Sequence, residues 1–412
     1  MFQLTPGDRE DMIAFLQDMV RIPSYSTQED KMAERLATEM EKVGLRDVRI
    51  DRIGNVVGRL GARSGARSGA RSGARSGAQS GPVLLYDGHM DVVGPGDLST
   101  WKHDPFAAEI ENGVLYGRGA ADMKAALAAM VYGAKMLVDR DIPLYGELYL
   151  AGVVQEEPCE GLGVQVLIEE EGLSPDYVVL GEATDLQLSR GQRGRMEVKV
   201  TARGRSCHAS APERGENAIY NAARLIFGIE LLSSQLAEDR FLGPGTLAVT
   251  HIENTGGSRN AVPDTCTFYI DRRLTLGETE AKALAEIRAV LLREEAKADL
   301  TVSEYRSTSF TGYEARAKCY YPAWALDREH PFVQQVSRAI RNELDYRPEV
   351  GRWAFSTDGV YTMGSAGIPT VGFGPGQERY AHAADERIAV RDIVQAARGY
   401  ARIAAQVLGK AR

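Results

Sequence analysis

At 412 residues the chain is too long for one ordinary hydrophobic core, so two domains are expected. Its 44% apolar and 26% charged residues exclude a disordered or fibrous chain, and no apolar run approaches the roughly 20 residues that cross a bilayer. A net charge of −8 argues against nucleic acid or an anionic membrane as a partner.

The opening MFQLTPGDREDM lacks the basic and apolar regions of an export signal, and Cys159, Cys207, Cys266 and Cys319 are scattered without a CxxC pair. A cytoplasmic location is therefore expected. Thr5 and Pro6 suit the N-cap and first turn of a helix whose apolar face is Met12, Ile13, Leu16, Met19 and Val20, stopped by Pro23. A second helical stripe runs through Met32, Leu36, Met40 and Val43, with Gly44 suited to its C-terminal turn. The strand-like DVRID and NVVGRL follow, and then the low-complexity segment 61–81, with GARS four times in tandem. Such a tract buries too little apolar surface to offset chain entropy and is expected to be a mobile surface loop.

PVLLYDGHMDVV, ELYLAGVVQEE and YVVLGEA are near-continuous apolar runs, the pattern of strands buried on both faces, and each finishes in His, Asp or Glu. The helical DMKAALAAMVYGAKML lies between the first two, which gives the alternation of an α/β domain. GIPTVGFGPG is a further strand near the C-terminus, followed by Ala381 and His382. The middle of the chain reads strand, helix, strand, strand, helix, strand, a ferredoxin-like α+β unit expected at 190–307. It is inserted into a catalytic domain made of 1–189 and 308–412, which resumes with the helical HPFVQQVSRAIRNEL.

Ligands of open α/β sheets sit at the carboxyl ends of strands, where these polar residues fall. His89 lies in DGHMD, and Asp91, two residues on, is expected to accept a hydrogen bond from its second ring nitrogen. Glu156 and Glu157 end one strand and Glu182 the next, and Asp122 stands in the glycine-rich GRGAADMK before a helix. Two histidines and several carboxylates at neighbouring strand ends form a donor set suited to zinc, cobalt or manganese. His103, His251 and His330 are read as structural or surface residues. A cysteine hydrolase on Cys207 and His208 is disfavoured, because neighbours in sequence point apart and no third orienting residue is evident.

GHMDVV, W…DPF, LYGRGAADMK, the QEE strand end, LGEAT, GRSCHASAPERGENAI and the late AHAADE resemble, in order, the signature series of one metallopeptidase family. It contains aminoacylase, acetylornithine deacetylase, succinyl-diaminopimelate desuccinylase and glutamate carboxypeptidase. RWAFSTDGV…GIPTVGFGPGQERYAHAADE is most similar to its selenium-metabolism-associated subgroup. The resemblance implies a di-zinc aminopeptidase-like catalytic domain, with a mixed sheet between helices, and an inserted lid through which the protein forms a homodimer. It implies two Zn2+ per subunit, with Co2+ or Mn2+ as substitutes. His89 and Glu182 are then ligands of one ion, Glu157 and His382 of the other, and Asp122 bridges them through a residue whose peptide bond to Met123 is cis. Glu156 matches the general base that acts on a metal-bridged hydroxide, and Asp91 the carboxylate that orients His89. On the lid, His208 matches a histidine reaching the substrate carbonyl, and Asn260 and Arg273 match positions holding the substrate carboxylate. The implied reaction is cleavage of an N-acyl amino acid or small peptide. The alternatives are a dipeptidase or carboxypeptidase on the same site and, from another class, a metal-binding protein without turnover.

Overall fold

The structure, a computed structural model, describes residues 1–61, 81–254 and 256–409. The GARS repeats read as a mobile loop lie, at 62–80, outside the described residues. Helix α1 (Pro6–Val20) starts at Thr5, whose hydroxyl accepts the Asp8 N–H at 3.1 Å, and Pro6 occupies a first-turn position where no N–H is needed. Its buried face is Met12, Phe15, Leu16, Met19 and Val20; Phe15 is buried where Ile13 was expected. Helix α2 (Asp30–Lys42) buries Met32, Ala33, Leu36 and Met40, and Gly44 beyond it has φ +92°, a conformation that suits glycine.

Naming only the elements used below, the chain continues with β1 (Arg46–Ile50), β2 (Val56–Leu60), β3 (Val83–His89), α3 (Ala125–Asp139), β4 (Glu147–Val153), α4 (Leu162–Glu169), β5 (Tyr177–Leu180) and β6 (Leu188–Gln192). Then come β7 (Gly194–Arg203), α5 (Ala218–Leu232), β8 (Thr246–Asn254), β9 (Thr265–Leu274), α6 (Glu280–Arg293) and β10 (Ala298–Val302). The last part holds β11 (Glu304–Thr308), β12 (Glu314–Lys318), β13 (Trp324–Ala325), α7 (Pro331–Leu344), β14 (Val350–Trp353), β15 (Thr370–Gly372) and α8 (Val390–Leu408).

The main sheet runs β1-β2-β4-β3-β5-β15-β6-β13, with β14 beside β6. β3 is parallel to β4 and β5, and β15 to β5, while β1, β2 and β13 pair antiparallel, so the sheet is mixed. Every residue of β3 is buried. Successive side chains leave opposite faces of a strand: Leu84 and Tyr86 join the core under α1, α3 and α8, and Leu85 joins the one under α4 with Trp324 and Trp353. Helix α3 is buried nearly all round, and Gly133 lets α8 approach closely, since a Cβ there would lie 2.9 Å from the Ala397 carbonyl oxygen.

A second core is built from β7–β10, α5 and α6. Its sheet runs β8-β9-β7-β10, with the two-residue strand Tyr320–Tyr321 also on β7; all pairs are antiparallel, and Met196, Val198, Val200 and Ala202 of β7 alternate inward. This is the ferredoxin-like order expected from the sequence. The chain leaves this core after Val302 and returns to it at Tyr320 and Tyr321, which pair with β7. The β11–β12 hairpin packs instead on the first core through Tyr305, Phe310, Tyr313, Ala315 and Ala317, so the expected boundary at 307 falls inside β11.

Candidate metal centre

Because β4, β3 and β5 lie side by side and parallel, their carboxyl ends share one edge of the sheet. Glu156 and Glu157 follow β4, His89 ends β3 and Glu182 follows β5. Asp122 is brought over that edge by the turn before α3, and its peptide bond to Met123 is cis. The Met123 side chain packs on β3 next to His89, where Gly88 leaves room: a Cβ there would lie 2.4 Å from the Met123 methyl carbon. His382 comes from the loop between β15 and α8 and has φ +58°.

His89 Nε2 lies 3.0 Å from Asp122 Oδ1 and 3.6 Å from Glu182 Oε1. His382 Nε2 lies 3.4 Å from Asp122 Oδ2 and 2.9 Å from Glu157 Oε2. In each triad, His89–Asp122–Glu182 and Asp122–Glu157–His382, the donor atoms lie within 4.8 Å of one another. Asp122 turns one oxygen toward each triad, which is the geometry of a carboxylate shared by two cations. A tetrahedral cation with bonds of about 2.0–2.1 Å sets neighbouring donors roughly 3.3 Å apart, so the observed spacings suit such an ion. The triads differ in access: the His382 side chain is 53% exposed and that of His89 1%.

The charges tell the same story. Burial pushes Glu156 and Glu182 well above the ordinary carboxylate range, with neighbouring acids adding to it and His89 opposing, and Glu157 is raised by burial too. Burial alone would lower His89, but its bond to Asp122 and the charges of Glu182, Glu156 and Asp122 outweigh that and raise it well above the usual imidazole value. Asp122 is raised by burial and lowered more strongly by His89, His382 and Arg118, ending below its ordinary value. Each buried carboxylate costs several kcal/mol to keep charged without a compensating cation. Glu156 Oε1 and Glu182 Oε2 have no hydrogen-bond partner among the described residues. Imidazole and carboxylate donors with excess negative charge fit one or two divalent cations of the zinc, cobalt or manganese type.

Asp91 departs from expectation. The acceptor for His89 Nδ1 is the Asp91 carbonyl oxygen at 2.9 Å; its carboxylate stands off at 3.7 Å. That carboxylate receives the backbone N–H of Glu156 (3.1 Å) and Glu157 (3.2 Å) and the Ser26 hydroxyl (2.6 Å), so it holds the turn carrying both glutamates. Glu386 and Arg118 were missed. Glu386 accepts the N–H groups of Ala121 and Asp122 and pairs with Arg118 at 2.6 Å, wholly buried. Burial and the charge of Asp122 push Glu386 up to about 7, with Arg118 and the two N–H groups opposing. The late AHAADE motif contained it, but only the fold shows what it grips.

His208 and Asn260 are brought together on a short ladder: His208 pairs with Ala261, and the Asn260 carbonyl accepts the Ala209 N–H. His208 is exposed, with the Ser210 hydroxyl 2.7 Å from its Nδ1. The guanidinium of Arg273 is held by Asp271 at 2.7 and 3.2 Å, while neighbouring Arg272 is fully buried against Glu278 and Glu286. Among the described residues, no hydrogen bond or ion pair joins His208, Asn260 or Arg273 to the two triads. His103 stacks on Tyr116 and His330 caps α7, both in structural positions.

The chain belongs to peptidase family M20/M25/M40, whose pattern it matches over residues 85–406. It is accordingly a hydrolase acting on the C–N bond of amides or peptides, with a candidate metal site of the kind just described. It is 42% identical over 393 residues to YgeY, an uncharacterized protein of Escherichia coli (strain K12), covering 95% of this chain and 93% of that one. It is 28% identical to succinyl-diaminopimelate desuccinylase 2 of Ruegeria sp. (strain TM1040), covering 97% and 95%. Among solved structures it is similar to a tripeptidase from Staphylococcus aureus, with a TM-score of 0.73, 21% identity and coverage of 98% and 99%.

Proposed function

We propose that the chain is a zinc-dependent hydrolase that releases an amino acid from an N-acyl amino acid or small peptide. His89, Asp122, Glu157, Glu182 and His382 are the ligands of two Zn2+ ions and Glu156 is the general base. The observation that carries the reading is Asp122, whose two oxygens face the two histidine-containing triads. When bound, such ions polarise the scissile carbonyl and acidify a water molecule. Glu156 takes the proton of the attacking water and returns it to the leaving amine. Its Oε1, which has no hydrogen-bond partner among the described residues, supports that role. Asp91 fixes the turn that aims Glu156, and its carbonyl orients His89. Substrate enters from the exposed His382 side.

The unit over 190–307 acts as a lid. His208 donates to the developing oxyanion, and Asn260 and Arg273 hold the substrate carboxylate, for which Arg273 exchanges Asp271 for substrate. The lid also forms the homodimer contact: Ile219, Tyr220, Phe227 and Leu231 of α5 are exposed, and the edge strand β8 is open beside them. A cytoplasmic site of action is supported by four cysteines that are all free. No helix of the described residues is long and apolar enough to cross a membrane.

The decisive experiment pairs metal analysis with a panel of N-acetyl and N-succinyl amino acids and dipeptides. Two zinc ions per chain and turnover of an N-acyl amino acid are expected, in keeping with the desuccinylase relative. Turnover of dipeptides alone would move the activity to an exopeptidase. Metal-loaded protein that hydrolyses nothing would make it a binding protein.

A further inference from the structure

Where β4 ends, four successive backbone N–H groups are each taken by a buried side chain from elsewhere. Val154 donates to Asn55 at 3.1 Å, Gln155 to Glu29 at 3.2 Å, and Glu156 and Glu157 to Asp91 at 3.1 and 3.2 Å. Gln155 is fully buried and has φ +58°, a left-handed conformation rarely adopted outside glycine. Something must hold it there, and its own side chain is gripped. Gln155 Oε1 accepts the Tyr305 hydroxyl at 2.8 Å and the Ser307 hydroxyl at 2.5 Å. Two hydroxyl donors on one amide oxygen fix the orientation of the side chain.

Both hydroxyls come from β11, the first strand after the second core. The base of the β11–β12 hairpin is tied to that core, since Ser303 donates to the Glu197 carbonyl at 2.9 Å and Glu197 to that of Cys319 at 3.0 Å. Its tip is tied to the main domain, with Thr311 donating to the Arg52 carbonyl, Tyr313 to Glu170, and the Phe310 ring seated where Gly54 has no side chain. The hairpin is therefore a braced strap with its grip on the residue before Glu156.

We propose that Tyr305 and Ser307 are positioning residues for Glu156: by clamping Gln155 in its left-handed conformation they aim the carboxylate that follows it. The inference rests on the hydrolase reading, in which Glu156 is the base. Freed of both hydroxyls, Gln155 relaxes toward ordinary backbone angles and Glu156 swings off its target, where a displacement of about 1 Å costs on the order of 10²-fold in rate.

The test compares zinc-loaded wild type with the double variant Tyr305→Phe/Ser307→Ala, the conservative Ser307→Thr, and Tyr313→Phe, which loosens the hairpin tip without touching Gln155. Three quantities are read: zinc content, kcat and KM on the best amide substrate, and amide hydrogen exchange across 154–157. The double variant is expected to keep its zinc, lose at least tenfold in kcat with KM within twofold, and exchange at least tenfold faster at 154–157. Ser307→Thr and Tyr313→Phe should match wild type in all three. Unchanged exchange in the double variant, kcat within twofold of wild type, or an equal loss in Tyr313→Phe overturns the proposal. If wild type cleaves no amide at all, the hydrolase reading falls, and the exchange measurement alone decides whether the clamp exists.

Discussion

Glu386 accepts the backbone N–H of Asp122 at 2.9 Å, so the loop that carries His382 also holds the backbone of the residue shared by both triads. Its second oxygen receives Arg118 Nη1 at 2.6 Å, with both side chains out of water. One buried carboxylate thus couples two triad residues that lie far apart in sequence.

Glu386→Ala leaves the Arg118 guanidinium buried and unpaired, a situation that typically costs ~3–5 kcal/mol. Chemical unfolding should show that loss, and metal analysis should show depletion at both sites. Adding Arg118→Met should recover part of the stability, because no orphan charge remains, but not the metal. A single variant within ~1 kcal/mol of wild type would contradict the role assigned to the pair.

Glu156→Gln keeps the shape of the side chain and removes its proton chemistry. Zinc content should stay at the wild-type level, because Glu156 belongs to neither triad. Turnover should fall by ~10²–10⁴-fold, the usual contribution of a positioned acid or base. Full activity would remove Glu156 from the mechanism.

Deleting 62–80 should leave folding and turnover intact. Leu60 at the end of β2 is opposite Leu148, and Val83 at the start of β3 is opposite Glu147, so both ends meet the beginning of β4. Crossing one intervening strand spans about 10 Å, which three or four residues cover. Circular dichroism and a rate assay would check this, and a large loss in either would give the tract a structural role.

Thiol alkylation at pH 8 should spare activity. Burial pushes the Cys159 thiol up to about 12, so at that pH it stays in the unreactive thiol form. Cys207 is partly exposed and should be modified first. Inactivation that tracks labelling of Cys207, with zinc retained, would revive a cysteine-based chemistry.

Much of the fold was legible because it is written in local patterns. The caps of α1, the all-apolar β3 and the one-sided alternation of β7 each follow from residues within a few positions of one another. The donor residues were legible too, since polar side chains that end buried strands stand out against their runs. Less visible was everything that acts through the backbone. Nothing near Asp91 said that its carboxylate would leave His89 to its own carbonyl and take the N–H groups of Glu156 and Glu157.

By itself the sequence determined the kinds of donor, the strands that carry them and the antiparallel unit in the middle of the chain. The tertiary structure decided which donors meet. Strand order sets β4, β3 and β5 in one row, and the turn at Asp122 and the loop at His382 close over their ends. The physical reason is one of range. Hydrophobic periodicity acts over a turn or a pleat, whereas convergence of five charged groups is settled by packing of whole elements, and buried charge is tolerated only where that packing also supplies its partners.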